Sequence, residues 1–477
     1  MASENTLNVK NLKALGAERL AELLLELATG DASAKRRLRL ELASKSGGAD
    51  VASEIRKRLI VIERARSYVD WRKIKALAHD LDVQRSAIVA HLSPSHPKEA
   101  FDLLWRLLEM APSIYERCDD SNGTIGSILA RTMDDLSEVV ERAQIAPDRL
   151  AETVFKGVCD NGYGQFDDLI PQMAQALGKV GLGLLKAKFE ALAAEPFEAP
   201  RPEDRRIVGY SSRGPIYADD YEAARRVRIV SSGLMDVADA LGDADGYAAC
   251  FSEEDHTNPA IAAKIAKRYL ASERPSEALV ALERAETNFQ NGGYWPDWPG
   301  VRMDVLDALS RNDEAQSARW DIFERSLSAE YLKAYLKRLP DFEDQLAEDR
   351  ALSYVRKHPN LHEALAFLIA WPAHRLAAEL VLERHDDLDG DRYELLTPGA
   401  EALENRYPLA ATIMLRAMIE FSLARGKHTR YGHAARHLQT CEDLALRIDE
   451  FSPHMNHETY LASLKLRHGR KTGFWNL

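Results

Sequence analysis

The stretch Asn258–Asn288, NPAIAAKIAKRYLASERPSEALVALERAETN, decides the fold. Pro259 stands where a first helical turn tolerates a missing N–H, and Asn258 before it is a natural cap. Ile261, Ile265 and Tyr269 recur at helical spacing. The chain then breaks at Ser272-Glu-Arg-Pro275, and Ala278, Leu279, Leu282 and Ala285 form a second apolar stripe. Each helix is too short to persist alone in water, so the pair must pack on itself and on its neighbours.

The spacing of Ile265, Ala266 and Tyr269, then Ala278, Leu282 and Ala285, resembles a tetratricopeptide unit, in which small alanines let two helices approach closely. The proline that closes such a unit is absent, with Gln290 near its place. The expected fold class is therefore all-α: an array of helical hairpins, tetratricopeptide-like or HEAT-like in the manner of an α-solenoid, in two helical parts.

The same punctuation runs outward in both directions. Leu20, Leu23, Leu24 and Leu27 fall at i, i+3, i+4 and i+7, predicting one apolar helix face. Gly30 ends that helix and Asp31 caps the next, which carries Leu38, Leu40 and Leu42 among Lys35, Arg36, Arg37 and Arg39. That basic run suits either an acidic partner or, more simply, a solvated face. Long helices are expected over about 51–69 and 71–91, then several more to residue 194, and no segment alternates with period two over a useful length. The stretch 196–219, rich in Pro, Gly and charge, interrupts both periodicities, with Ile207-Val208 and Ile216-Tyr217 placed for a small hairpin at most. The expected organisation is an N-terminal helical domain over 1–195, this connector, and a helical-repeat domain over 220–477. Prolines at 359, 372 and 408 open successive helices of that second part.

Composition narrows the class. A chain of 477 residues with 45% hydrophobic and 29% charged residues has ample material for a core. A net charge of -12 argues against a basic surface over the whole protein. MASENTLNVK lacks the basic start and apolar run of a secretory signal, and the apolar window Ala364–Trp371 is far short of a membrane span. Cys118, Cys159, Cys250 and Cys441 are scattered, without CxxC or zinc-finger spacing, as expected of reduced thiols in the cytoplasm.

Toward the C-terminus, Leu388-Asp-Gly-Asp-Arg-Tyr-Glu-Leu-Leu396, Tyr407-Pro-Leu-Ala-Ala-Thr412, Arg430-Tyr-Gly-His-Ala-Ala-Arg-His-Leu438 and His468-Gly-Arg-Lys-Thr-Gly-Phe-Trp475 resemble a bacterial family catalogued only as a domain of unknown function. The likeness covers most of the chain. The ending, with Tyr460, Leu464, His468, Arg470, Lys471, Phe474 and Trp475, is also similar to the helical region that accompanies SWIM zinc fingers. The finger's Cys-x-Cys pair and later Cys-x-His have no counterpart here. The resemblance thus implies a helical-repeat body and brings with it neither zinc nor an activity.

Candidate chemistry is thin. His433, His437 and Cys441 lie four apart along one side of a helix and carry zinc-ligating groups, yet Cys441 also belongs to the core stripe of Tyr431, Ala434, Leu438 and Ala445. His454-Met-Asn-His457-Glu458 has neither HExxH nor HxxEH order, and Gly469-Arg-Lys-Thr472 lacks the leading glycine and strand of a P-loop. No cofactor is expected. From Arg425 onward nine Arg and Lys face five Asp and Glu, a local +4. Arg430, Arg436, Arg470 and Lys471, interleaved with Tyr431 and Trp475, suit phosphate or an acidic protein face. The alternative is that Phe474 and Trp475 pin the tail onto the last hairpin. Trp295 and Trp298 in the loop 291–300 are either a recognition patch or a plug between hairpins. Tyr210, Arg213 and Tyr217 on the connector are a weaker candidate surface. The expected function is a non-catalytic scaffold for a protein or peptide partner. Nucleic-acid binding through the basic end is the alternative, and a metalloenzyme using His433 and His437 stands behind it.

Overall fold

The computed structural model describes residues 6–212 and 214–477. It is an all-α helical-repeat protein in which helices follow one another from Val9–Lys13 to Thr472–Trp475. Two compact units divide it, Met1–Arg274 and Pro275–Leu477.

In the first unit, the helix Gly48–Arg64 buries Val51, Ala52, Ile55, Leu59 and Ile62, a stripe at helical period. The helix Ile74–Ala87 runs on through a π turn, Ile88–Leu92. Pro97 then opens the next helix, which buries Phe101, Leu104 and Leu108. The last of the helices expected up to residue 194 is Leu169–Ala194, with a break at Gly178, whose φ of 56° suits glycine. The expected small hairpin forms as Ile207–Ser211 against Gly214–Tyr217, with Ile207 opposite Tyr217. Arg205 secures its base. Its guanidinium lies 3.9 Å over the Tyr217 ring and pairs with Asp219 at 2.8 Å and Asp220 at 2.6 Å. Arg213 lies outside the described residues.

The opening stretch behaves as its caps dictate. Asn258 accepts from the Ala260 N–H at 2.9 Å, and the helices are Pro259–Ala271 and Pro275–Arg284. Ala262, Ala263, Ile265 and Ala266 are buried on the first, and Ala278, Leu279 and Leu282 on the second. The division between the two units falls between these helices.

The N-terminal leucine stripe departs from expectation. The helix Ala17–Ala28 buries Ala28 alone. Leu20 and Leu23 are half-buried, while Leu24 and Leu27 are 47% and 74% exposed, and Leu12 and Leu15 of the preceding segment are exposed as well. The basic run on Ala32–Ser46 is not wholly solvated either. Arg36 reaches the buried carboxylate of Asp80 at 3.7 Å, beside the Arg58 Nε at 2.9 Å.

In the second unit the core gathers around Pro408–Ala424. This helix is apolar nearly all round and buries Ala410, Ala411, Ile413, Met414, Leu415, Met418, Ile419 and Leu423. Such a helix sits inside rather than at the surface. Tyr393–Leu403 and Tyr431–Ala445 pack on it. Gly390 makes the approach of the preceding loop possible, since a Cβ there would stand 2.1 Å from the Ala417 carbonyl oxygen.

Candidate functional site

Two places in the second unit bring polar chemistry together. The first is a groove of about 420 Å³ containing one residue expected from sequence, Arg430. The helix Leu361–Ala370 supplies His362, Glu363 and Ala366, the loop supplies Asp391 and Arg392, and the first turn of Tyr393–Leu403 supplies Tyr393, Glu394 and Leu395. Asn360 caps the first of these helices, accepting from the His362 N–H at 3.1 Å, which fixes His362 at the groove edge. The Asp389 N–H donates to His362 Nε2 at 3.0 Å, so the ring's other nitrogen, Nδ1, carries the proton. Burial first, then the charges of Arg392 and Arg384, hold the His362 pKa below its ordinary value. Arg430 comes from the turn His428–Arg430. It donates to Asp391 at 2.6 Å and covers the half-exposed Tyr393 ring at 4.6 Å.

The remaining expected residues do not converge there. Tyr431 is buried and meets Phe474 edge-on at 6.1 Å. Trp475 donates from Nε1 to the His468 carbonyl at 3.0 Å. These contacts dock the tail. Arg436 and His433 are exposed and touch each other at 2.9 Å, whereas His437 is half-buried, its pKa lowered chiefly by burial. Cys441 is fully buried in the core, and burial pushes its thiol up to about 12. It therefore faces away from the exposed His433. Among the described residues, no group of three or more His, Cys, Asp or Glu is gathered for a metal ion. Arg470 is exposed and Lys471 half-buried. Within the basic end, Arg430 pairs with Asp391 and Arg467 with Glu420 at 2.5 Å, so part of its charge is already matched within the chain.

Trp298 is buried, because its helix begins at Asp297, earlier than the loop composition suggests. Its ring stacks on Phe289 at 4.1 Å. Trp295 is half-buried and donates to the Gly292 carbonyl at 3.2 Å. On the connector Tyr210 is 78% exposed, and Tyr217 lies under Arg205.

The second place was missed in the sequence. Arg416 stands in the middle of the buried helix Pro408–Ala424 and is only 6% exposed. Its Nη1 donates to the Met455 carbonyl at 2.7 Å, and its guanidinium lies 4.2 Å over the Tyr460 ring. Glu420, one turn along, satisfies Arg467 and approaches His468 at 3.6 Å instead. The sequence signal was a single cation within an otherwise apolar run, but Arg416 and Glu420, spaced i,i+4, mimic an ordinary surface pair.

Serial amphipathic helices, one of them buried nearly all round, define a helical-repeat protein. The chain belongs to a family of unknown function (DUF6880), whose model matches residues 2–477. That match shows membership of this uncharacterised family and does not extend to the helices that accompany SWIM fingers. No curated protein matches the chain. Among solved structures it is similar to one titled "Circular tandem repeat protein with novel repeat topology and enhanced subunit contact surfaces", at 13% identity over 94% of each chain. The TM-score is 0.13, at which the likeness carries no argument about fold or function.

Proposed function

We propose that this protein is a non-catalytic helical-repeat scaffold that binds a protein partner through its N-terminal leucine face. The observation that carries the reading is the exposure of that face. Leu20, Leu24 and Leu27 recur at i, i+4 and i+7 on one helix, the anchor spacing with which a helix enters an apolar groove. Leu24 and Leu27 are exposed, with Leu12 and Leu15 exposed on the preceding segment. Fully burying a leucine is worth about 1.5–3 kcal/mol, so a cluster left in water favours a covering surface. The occupant this face fits is a partner with an apolar groove. No helix among the described residues is long and apolar enough to cross a membrane. Unpaired Cys118, Cys159, Cys250 and Cys441 support a reducing compartment, the cytoplasm.

The test is affinity purification of the wild type beside Leu24→Ser/Leu27→Ser. Both positions are outward, so the variant keeps its fold, checked by circular dichroism. A partner retained by the wild type and lost by the variant supports the reading. Identical recovery by both removes it, as does sedimentation showing that the face only joins copies of this chain.

A further inference from the structure

Five of the fourteen buried side-chain polar atoms without a hydrogen-bond partner among the described residues belong to one neighbourhood: Arg416 Nε and Nη2, Thr412 Oγ1, Tyr460 Oη and His457 Nδ1. They share surroundings for simple reasons. Thr412 and Arg416 are one turn apart on the same helix, the Arg416 guanidinium covers the Tyr460 ring, and His457 stands three residues before Tyr460 on its helix. Cys441 closes the floor, its Sγ 3.9 Å from the Thr412 carbonyl. The connection between Tyr431–Ala445 and His457–His468 lies across the top, with Phe451 5.8 Å from the guanidinium and the Met455 carbonyl holding Nη1.

The two unpartnered nitrogens of Arg416 are not an arbitrary pair. Nε–H and the neighbouring Nη2–H form the two-pronged edge with which a guanidinium meets a carboxylate or phosphate side-on. Leaving them buried and unmatched costs free energy, as does burying the cation without a counter-charge. Arg319, equally deep in the same unit, has its carboxylate in Asp307. Arg416 makes no ion pair among the described residues, although two hydroxyls beside it can each donate to an oxyanion.

We propose that Arg416, with Thr412, Tyr460 and His457 around it, is the receptor for a small oxyanion, a carboxylate or a phosphate group presented to its two-pronged edge. Because the guanidinium is nearly covered, the ligand enters when the connection carrying Phe451 and Met455 lifts. This site is independent of the leucine face.

The experiment uses the full chain and measures thermal unfolding in acetate, phosphate and chloride at matched ionic strength. The wild-type midpoint is expected to rise progressively with acetate or with phosphate relative to chloride, as for any ligand that binds the folded state alone. A rise with acetate assigns a carboxylate, and a rise with phosphate assigns a phosphate group. Arg416→Met is expected to lose the response. Arg416→Lys, which keeps a cation but not the two-pronged edge, is expected to bind about tenfold more weakly or less. It serves as the readout should the Met variant not fold. Arg470→Ala/Lys471→Ala is expected to respond as the wild type does. No rise with either anion, an equal rise in the Met and Lys variants, or a response lost with Arg470 and Lys471 overturns the proposal.

Discussion

Replacing Asp307 with alanine tests how this fold handles a buried cation. Arg319 is 2% exposed, and its Nη2 pairs with Asp307 Oδ2. Arg338, at the surface, shares the same oxygen at 2.9 Å. Without Asp307, the Arg319 guanidinium keeps Gln316 Oε1 at 3.0 Å and no carboxylate among the described residues. Removing one partner of a buried pair costs about 3–5 kcal/mol, and the exposed Arg338 pair adds less than about 1 kcal/mol. Asp307 is itself partly solvated, so the lower figure applies, about 3 kcal/mol. For a body of this size that is a drop of about 6–12 °C in the unfolding midpoint of the second unit, read by calorimetry. Asp307→Ala/Arg319→Met removes the stranded charge and is expected to regain most of the loss. A single variant within about 1 kcal/mol of wild type, or a double variant no better than the single, refutes the reasoning.

Gly390→Ala forces a Cβ to within 2.1 Å of the Ala417 carbonyl, and overpacking of that kind costs about 1–3 kcal/mol. A lower unfolding midpoint should accompany loss of the neighbouring Asp391–Arg430 pair, read as exposure of Tyr393 to solvent probes. Asp236 has its pKa raised to about 6, by burial first and then by Asp168 and Asp239. The folded state therefore binds this proton more tightly than the unfolded chain, and stability from the group is present below pH 4 and lost as pH rises to 6. After discounting for its partial exposure, Asp236→Asn should be about 1–2 kcal/mol more stable than wild type at pH 7, with the gap closing below pH 4 in urea titrations. Cys441, with its thiol pushed up to about 12, should resist alkylation in the folded protein at pH 8 and react only on unfolding, followed by mass spectrometry.

Helix caps and proline punctuation made the architecture legible. Asn258 and Asp31 each accept from the first-turn N–H groups their position predicts. What periodicity cannot reveal is which apolar face finds a neighbour. Leu24 and Leu27 have core spacing, yet only tertiary packing decides burial, and here it leaves them outside. Trp298 shows the reverse. A loop rich in Pro and Gly suggests exposure, but Pro296 and Pro299 suit a first helical turn, so the helix starts early and turns the ring inward. The Arg430 groove was half legible. Arg430 stood out as a cation beside an aromatic, whereas Asp391, Tyr393 and His362 reach it from distant segments whose meeting no local pattern encodes. Arg416 escaped notice because a helix shows its surroundings only once its neighbours are placed.

The most direct measurement is cross-linking mass spectrometry on the captured complex, using an amine-reactive linker. The scaffold reading predicts that partner cross-links concentrate at Lys10 and Lys13, on the helix leading into the leucine face. Cross-links concentrated at Lys465 and Lys471, at the opposite end of the sequence, with Lys10 and Lys13 silent, contradict it.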